Sequence, residues 1–427
     1  MRAMKDSGVP WIGEIPEGWK VCKTKDVFVR KNEKAHQENP IVLSLARAGV
    51  KVRDITKNEG QLAESYSDYN PVEPFDLLLN PMDLYSGANC SISLVRGVIS
   101  PAYVNLKAKA NACPRFYDYY YKTQYWSMAF FAHGKGISFD NRWTLGMDTL
   151  FRYNVPLPPL AEQQRIAEFL DRKCAEVDEM IALQERIIEE LRAYKQSVIT
   201  EAVTKGLNPA APMRDSGIEW IGSIPEHWDV GKMKNIATGF SNGTSTTQLT
   251  NEESPYAVTR IETISTGNIN YEKVGYVPFF EGINKYELVK GDILISNINS
   301  LERVGNSAMY NGEQTLYHGM NLLRVHTNDK MIALYLHYYL RSKAFLEQMK
   351  SCCNHAINQV SVSSSTLKNL FVAIPNIADQ QAIADYLDEK CADIDSLIQA
   401  KLSKIDSLKE YKKSIIYEYV TGKREVE

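Results

Sequence analysis

The sequence predicts a mixed α/β protein in which two globular domains alternate with two long helices. Two duplicated blocks and a repeating apolar pattern support this prediction. The segment DSGVPWIGEIPEGW at Asp6–Trp19 returns as DSGIEWIGSIPEHW at Asp215–Trp228, 209 positions later. The segment at Leu157–Ile181 returns at Ile374–Ile398, 217 positions later. We therefore expect the 427 residues to fold as two related halves in tandem.

Each half is expected to contain an entry segment, a globular domain and a long helix. Gly206, Pro209 and Pro212 mark the linker between the halves, because Gly and Pro interrupt helices. The predicted segments are an entry segment at 1–19, a first globular domain at 20–155, a first long helix at 156–206, a linker with the second entry segment at 207–228, a second globular domain at 229–372 and a second long helix at 373–427.

The entry segments are expected to be structural. They lie where the chain passes into a globular domain, and large aromatic side chains at such a junction are more often packed than exposed to a ligand. The residues concerned are Trp11, Trp19, Trp220 and Trp228.

Both globular domains show the short apolar runs of β-strands followed by an aromatic-rich helical segment. The runs are bounded by Gly, Pro, Asn and Asp, as strands are. They include IVLSLA, FDLLLN, SISLV and AYVNL in the first half, and DILISNI and NLLRV in the second. The helical segments begin at Phe116 and Met331, and we expect their tyrosines to pack in the core and its rim.

The segment that ends each half has the apolar spacing of a coiled coil. Each opens with an acidic side chain, Glu162 or Asp379, where the helix dipole favours negative charge. Apolar residues then recur at spacings of three and four, which predicts a heptad seam. The seam positions are Ile166, Leu170, Cys174, Val177, Ile181, Ile188, Leu191 and Val198 in the first helix, and Ile383, Leu387, Cys391, Ile394, Ile398, Ile405, Leu408 and Ile415 in the second.

Polar residues interrupt the two seams at equivalent places and could fix the register between the helices. They are Gln184 and Lys195 in the first seam and Lys401 and Lys412 in the second. The alternative is two independent amphipathic helices, each packed on its own domain. At ~1.5 Å per residue, about 40 residues form a rod of about 60 Å.

Composition indicates an ordinary soluble protein, with 44% hydrophobic and 24% charged residues. No stretch approaches the ~18 apolar residues of a membrane span, and no secretory signal opens the chain, so the cytoplasm is the expected location. The seven cysteines form no C-x-x-C pair, which argues against a zinc site and a disulfide framework.

Charge is partitioned between the domains and the helices. The whole chain has a formal net charge of −3, but Lys20–Val155 carries 18 basic against 13 acidic residues and Asp229–Val372 carries 13 against 12. Both helical segments are negative, with 7 against 10 at Pro156–Gly206 and 8 against 11 at Ala373–Glu427. The sign of the domain charge agrees with contact to phosphate groups.

The sequence contains no recognisable catalytic motif. It has no phosphate-binding loop, no Gly-rich cofactor loop, neither HExxH nor G-x-S-x-G, and its seven His residues are scattered. The string NPMDLY at Asn80 lacks the second Pro and the aromatic residue of an amino-methyltransferase motif. We expect the chain to be no enzyme by itself, and to bind neither a metal nor a cofactor.

The pattern resembles the specificity subunit of type I restriction-modification systems, over essentially the full chain. The most specific parts are the helix starts PLAEQQRIA at Pro159–Ala167 and IADQQAIA at Ile377–Ala384, the two IGxIPExW entry segments, and GVISPAYVNL at Gly97–Leu106. The string GDILIS at Gly291–Ser296 is frequent in the same domains. One departure is Asn376 where the first half has Pro159, although both Gln-Gln pairs are intact.

The resemblance implies a function. In this family the globular domains are target-recognition domains, each reading one half of a bipartite double-stranded DNA sequence, and the two helices pair antiparallel as a ruler between the half-sites. Two modification subunits dock on the helices, bring S-adenosylmethionine and methylate a flipped adenine. Restriction subunits join for ATP-dependent cleavage. S-adenosylmethionine, ATP and Mg are thus expected on the partners.

Candidate DNA-binding residues follow from base-edge chemistry, in which Arg pairs with guanine, Asn or Gln pairs with adenine, and Lys contacts phosphate. They are Arg47, Lys51, Arg53, Lys107, Lys135 and Arg142 in the first domain, and Asn242, Thr244, Arg260, Asn297, Asn299, Arg303, Asn358 and Gln359 in the second.

Two other classes of function stay open at this stage. One is a non-enzymatic coiled-coil scaffold whose variable domains bind protein or glycan. The other is a self-sufficient nuclease or methyltransferase, against which the missing cofactor and phosphate motifs count.

Overall fold

The computed structural model describes residues 2–37, 39–56, 63, 65–85, 89–136, 143–247, 256–356 and 359–426. The chain divides into two compact units. The first comprises Met1–Gln184 with Ser403–Glu427, and the second comprises Glu185–Leu402. Each unit therefore combines one globular domain with a part of each long helix.

The first globular domain contains strands and short helices in mixed order. Its strands are β1 Met4–Asp6, β2 Glu14–Pro16, β3 Lys20–Lys23, β4 Phe28–Lys31, β5 Leu43–Ala46, β6 Gly49–Val52, β7 Asn70–Val72, β8 Leu77–Leu79, β9 Cys90–Ile92, β10 Gly97–Ile99, β11 Val104–Ala108 and β12 Asn154–Leu157. Its helices are α1 Thr24–Val27, α2 Pro114–Trp126, α3 Ala129–Ala132 and α4 Met147–Arg152, and the first long helix, α5, spans Leu160–Lys205.

The second globular domain repeats this plan. Its strands are β13 Met213–Asp215, β14 Ser223–Pro225, β15 Asp229–Lys232, β16 Ala237–Asn242, β17 Tyr256–Val258, β18 Gly275–Val277, β19 Ile293–Ser296, β20 Ile298–Asn299, β21 Ser307–Met309, β22 Leu322–Thr327, β23 Asn354–Ala356, β24 Gln359–Ser361 and β25 Phe371–Ile374. Its helices are α6 Ala333–Leu340, α7 Lys343–Ser351 and α8 Ser364–Asn369, with 3₁₀ turns at Met233–Asn235, Glu262–Ile264 and Ile283–Tyr286; the second long helix, α9, spans Ile377–Val420.

Each domain is built on an antiparallel four-stranded sheet with the same strand order. The order is β4-β11-β8-β9 in the first domain and β16-β22-β19-β21 in the second. The pairing register is also shared, since Leu78 pairs with Asn105 as Leu294 pairs with Arg324. The duplication is therefore visible in the fold, and the predicted mixed α/β class and the strands expected from the apolar runs are confirmed.

The aromatic segments form the core of their domains, as predicted. Phe116, Tyr117, Tyr120 and Tyr121 on α2 are fully buried, and the Tyr117 hydroxyl donates to the Pro156 carbonyl at 3.0 Å. Burial raises the pKa of Tyr117 well above its usual value, so the phenol stays a neutral donor.

Each aromatic segment is broken into two helices, which the sequence analysis did not predict. Met128 adopts a φ of 60° and ends the first run before α3. In the second domain, the Ser342 hydroxyl accepts from the Phe345 amide and caps α7, so the chain turns between α6 and α7.

The long helices contribute to the cores of both units. In the first unit, Ile166 and Leu170 of α5 and Ile416 and Val420 of α9 belong to one hydrophobic cluster. In the second unit, the same role falls to Ile383, Leu387 and Cys391 of α9 and Ile199, Ala202 and Val203 of α5. The predicted seam is therefore a buried surface near both ends of each helix.

Two equivalent ion pairs join the helices, one in each unit. Lys412 Nζ lies 2.7 and 2.6 Å from the Asp178 carboxylate oxygens, and Lys195 Nζ lies at the same distances from those of Asp395. In the first unit the rings of Phe169 and Tyr419 are also 4.4 Å apart, so α5 and α9 run in opposite directions there. The two lysines are two of the four predicted seam interruptions. Exposed pairs contribute about 0–1 kcal/mol, so these two add little to the stability of the fold.

A buried glutamine holds the start of each long helix against its domain. Gln163 is fully buried, accepts from the Cys113 amide at 2.8 Å and donates to the carbonyls of Asn111 and Pro158. Gln380 makes the same three bonds, to the Ile332 amide and the carbonyls of Lys330 and Pro375. The first Gln of each Gln-Gln pair is thus a structural clamp with its amide fully bonded.

The entry segments bind the first turn of the long helices. Trp19 Nε1 donates to Glu162 Oε2 at 2.9 Å, and Trp228 Nε1 donates to Asp379 Oδ2 at 3.0 Å. Both indoles are 1% exposed. Trp11 stacks on Tyr153, whereas Trp220 is 38% exposed. The expected junction role therefore fits three of the four tryptophans, and Trp220 lies outside the packed part. None of the helices within the described ranges has the length and apolar composition that a membrane span requires.

We predict that Gln163→Ala lowers the free energy of unfolding by about 2–4 kcal/mol, because it leaves the Cys113 amide without a buried acceptor and opens a cavity. The exposed neighbour Gln164 provides the matched control, and Gln164→Ala should change stability by less than about 0.5 kcal/mol. Denaturant unfolding followed by circular dichroism measures both. Equal effects of the two substitutions would contradict the clamp.

Candidate functional site

A buried aspartate opens the central strand of each domain sheet. Asp76 precedes β8 and Asp292 precedes β19, and they are 3% and 2% exposed. Each closes the turn before its strand, since Asp76 Oδ2 accepts from the Glu73 amide at 2.8 Å and Asp292 Oδ2 accepts from the Val289 amide at 2.9 Å. The two carboxylates occupy equivalent positions in the repeat.

In the first domain, this carboxylate lies beside a polar face of the sheet. Lys31 Nζ is 2.7 Å from Asp76 Oδ2, and the Asn105 amide lies 3.5 Å from the same oxygen. Asn105 and Lys107 alternate along β11 with the buried Val104 and Leu106, so they point away from the aromatic core. Lys107 is therefore an exposed cation on the same face as the Lys31–Asp76 ion pair.

The second domain carries a more basic version of the same face. His326 Nδ1 lies 2.9 Å and Arg324 Nη1 3.8 Å from the Asp292 carboxylate, and Arg324 Nε donates to Ser241 Oγ at 3.2 Å. These side chains line a groove of about 720 Å³ that Lys234 and Lys368 also line. Two basic side chains thus approach the buried carboxylate, and two lysines line the same groove.

Of the side chains on these two faces, Lys107 was predicted from the sequence, but the buried aspartates and the pair Arg324 and His326 were not. The signal available was the shared Asp at the start of FDLLLN and DILISNI, together with alternating polar positions in LLRVHT, where Arg324 and His326 are two apart. Side chains two residues apart on a strand point to the same face of the sheet. The partners, however, come from strands far away in the chain.

Three of the six residues predicted in the first domain cluster on one hairpin. Arg47 lies in the turn between β5 and β6, Lys51 lies on β6 and Arg53 follows it. Asn89 Nδ2 donates to the carbonyls of Ala46 and Arg47 at 3.0 and 3.1 Å and so fixes this turn.

The other first-domain candidates are separate from the hairpin. Lys107 lies on the sheet face described above, and the Lys135 backbone bridges Thr144. Arg142 lies outside the described residues.

In the second domain, three predicted residues meet on a small sheet of order β20-β24-β23. Asn297 Nδ2 donates to the Val362 carbonyl at 3.2 Å, and Asn299 pairs with Val360 next to Gln359. Arg303 is exposed in the loop that follows. Asn358, predicted with them, lies outside the described residues.

The remaining candidates lie apart from this sheet. Asn242 is exposed at the end of β16, and Arg260 Nε is 3.6 Å from Glu262 Oε2. Thr244 is 2% exposed, and its hydroxyl donates to Thr246 Oγ1 at 2.8 Å. Because Thr244 is buried and makes this bond, it stabilises the loop and does not present its hydroxyl on the surface.

No group of three or more His, Cys, Asp or Glu side chains within the described ranges is placed to hold a metal ion. His318 is buried with Nε2 3.0 Å from the Leu322 carbonyl, and burial lowers its pKa to about 4, so it is neutral at pH 7. What the geometry offers is surface for recognition: a basic sheet face in each domain, the β5–β6 hairpin and the Asn-rich small sheet.

The family model for the type I restriction modification DNA specificity domain matches residues 92–193 and 225–407. These two regions cover more than half of the chain, one in each half. The chain belongs to this family.

Individual members of the family share parts of the sequence. A putative type I restriction enzyme specificity subunit, MjaX, of Methanocaldococcus jannaschii is 38% identical over 205 residues, which is 47% of this chain and 47% of that relative. The chain therefore spans about half the length of that relative. The MjaVIII specificity subunit of the same organism is 25% identical over 361 residues, or 82% of this chain and 80% of the relative.

A solved structure shares the fold over almost the whole chain. It is described as the structural basis of complex assembly and conformational transition of the type I R-M system, and it superposes with a TM-score of 0.70 at 17% identity. The match covers 95% of this chain and 98% of that one.

The turn that presents Asp292 to the sheet should depend on the glycine before it. Gly291 has a φ of +94°, and an added Cβ would lie 3.6 Å from the nearest atom. A side chain would therefore fit in the space but would strain the backbone. We predict that Gly291→Ala costs about 1–2 kcal/mol of unfolding free energy.

Gly239→Ala is the matched control, since its Cβ would also meet its nearest atom at 3.6 Å but its φ is outside the left-handed region. Thermal unfolding compares the two variants. If Gly291→Ala is no more destabilised than Gly239→Ala, the turn does not require a glycine.

Proposed function

We propose that this chain is the DNA sequence-specificity subunit of a type I restriction-modification complex, in which each globular domain reads one half of a bipartite duplex target. The observation that carries the proposal is the repeated recognition scaffold. The same four-stranded sheet occurs twice with equivalent buried aspartates, while the polar side chains around them differ. One scaffold with two sets of contacts suits a target with two different halves.

The long helices are proposed to pair along their length as an antiparallel coiled coil that sets the distance between the half-sites. The buried seam positions and the equivalent ion pairs Lys195–Asp395 and Lys412–Asp178 support this. Gln163 and Gln380 each fix a globular domain to the start of the long helix that follows it. The length of the helices is therefore proposed to determine how far apart the two half-sites are read.

Catalysis is proposed to belong to partner subunits. Two modification subunits dock on the helices and supply S-adenosylmethionine for adenine methylation, and restriction subunits supply ATP- and Mg-dependent cleavage. The absence of a phosphate loop and of a methyltransferase motif from the sequence supports this division. The partner subunits then carry out catalysis, and this chain determines the DNA sequence at which they act.

The contacts to DNA are proposed to divide into base reading and phosphate binding. Gln359 on the small sheet has an exposed amide of the kind that pairs with adenine, and Arg303 has the guanidinium group that pairs with guanine. Lys107 on the first sheet face suits a phosphate.

Mapping methylated adenines across a genome tests the function. The chain is co-expressed with a cognate modification subunit in a host without other adenine methylation. A split motif with two fixed blocks and a constant unread gap is expected, because two domains joined by helices of fixed length read two blocks at a fixed separation. Methylation that is scattered, or confined to one continuous motif, would refute the proposal.

Two substitutions separate base from phosphate contacts. Gln359→Ala should relax the preference at one position of one half-site, costing about 1–3 kcal/mol of discrimination, because the amide no longer rejects the wrong base. Lys107→Ala should weaken binding to every duplex and lower the salt slope by about 1.

Lys109→Ala serves as the control for the lysine, since Lys109 Nζ already donates to the Lys25 carbonyl at 2.7 Å. Binding isotherms at several salt concentrations distinguish the variants. An identical salt slope for Lys107→Ala and the parent chain would remove Lys107 from the interface.

A further inference from the structure

A small polar cavity in the second unit lies outside the surfaces described above. Its volume is about 180 Å³, which is the size of an ion with a few waters rather than of a cofactor. Four segments of that unit enclose it: Gln196 on α5, the loop Ser265–Gly267, the loop Gly305–Ser307, and Arg341 with Leu346.

Arg341 brings an uncompensated positive charge to this cavity. Within the described parts of the chain, no carboxylate lies at ion-pair distance from its guanidinium, and Nη1 is 3.3 Å from His337 Nε2. Burial, and then the Arg341 charge, lowers the pKa of His337 to about 3, so the ring is neutral and accepts this bond without cancelling the charge. A half-buried guanidinium that has no carboxylate partner is available to bind an anion through charge-assisted hydrogen bonds.

The position of Arg341 is fixed by its surroundings. Gln196 Nε2 donates to the Arg341 carbonyl at 2.7 Å. The guanidinium packs on Gly267, where an added Cβ would lie 3.2 Å from Cζ and Nη2. Glycine therefore leaves the room that the side chain occupies.

Ser307 adds a buried donor to the same cavity. It is 1% exposed, and its hydroxyl has no hydrogen-bond partner. Buried hydroxyl groups are nearly always bonded, so an unbonded one that lines a cavity is free to donate a hydrogen bond to a group bound there. The cavity thus joins a fixed cation and a buried donor.

We propose that this cavity binds a tetrahedral oxyanion, a phosphate group, between the Arg341 guanidinium and the Ser307 hydroxyl. A free phosphate ion or a phosphodiester of bound DNA could supply that group. The Gly305–Ser307 loop is continuous with the candidate DNA contacts, since the Gly305 amide donates to the Ser296 carbonyl at 2.9 Å, next to Asn297. Phosphate binding itself does not depend on the proposed function, whereas the DNA source does.

The first test uses the full chain without DNA, with inorganic phosphate as the probe. Thermal unfolding is followed as phosphate is added, against sodium chloride at equal ionic strength. At about ten times the dissociation constant, the midpoint should rise by about 3 °C for a unit of this size. Arg341→Gln should abolish this shift, and Ser307→Ala should reduce it.

Two comparisons make the result specific. Arg192→Gln removes an exposed charge elsewhere on α5 and should leave the phosphate shift intact. Ser307→Ala should not lower the midpoint without phosphate, since it removes an unbonded buried hydroxyl. A phosphate shift that is absent from the parent chain, or is kept in both site variants, overturns the site.

A second measurement identifies the source of the phosphate group. If DNA supplies it, Arg341→Gln weakens binding to cognate and unrelated duplexes alike by about tenfold and lowers the salt slope by about 1. If a free ion supplies it, duplex affinity is unchanged while the phosphate shift is lost. Failure of the parent chain to bind DNA would refute the proposed function and leave the phosphate result standing.

Discussion

The fold depends on two buried amides. Gln163 and Gln380 each satisfy one amide hydrogen and two carbonyls of the surrounding loops, and each sits in the first turn of a long helix. A buried amide with all of these bonds made is stable only in one geometry, because any displacement leaves polar groups unpaired. The Trp–carboxylate bonds of Trp19 and Trp228 close the same turn from the other side. The entry segment therefore occurs twice because each helix start needs its own anchor.

Around these anchors, the two halves keep the same scaffold and vary its surface. The positions of Asn105 and Arg324 are equivalent in register, and so are those of Lys31 and Ser241. The buried aspartate is common to both, but its neighbours are a lysine in one half and an arginine and a histidine in the other. Exchange of the polar side chains leaves the apolar face and its packing untouched, so a recognition surface can change without a change of fold.

Periodicity and repetition, which the sequence shows directly, predicted much of this structure. The tandem halves, the strands from IVLSLA to NLLRV, the long helices and the packed tyrosines of α2 are all local patterns. Apart from Lys107, the side chains of the sheet faces around Asp76 and Asp292 and of the Arg341 cavity were missed, because they are far apart in sequence and meet only through strand pairing and packing. The break at Met128 was missed because a left-handed residue that is not glycine leaves no sequence signal. Of the predicted contacts, the structure gathers Arg47, Lys51 and Arg53 on one hairpin and Asn297, Asn299 and Gln359 on one small sheet, and it buries Thr244.

The central claim is that the clamped helices set the distance between two independently read half-sites. The direct measurement uses a variant with one heptad added to α5 after Gln184 and one added to α9 after Leu402. In the sequence, these positions are the boundaries between the two compact units. The methylation motif of this variant is then determined. Seven residues add about 10 Å of helix, or about three base pairs of duplex. The account predicts unchanged half-sites and a spacer longer by about that amount. An unchanged spacer, or altered half-sites with the original spacer, would contradict it.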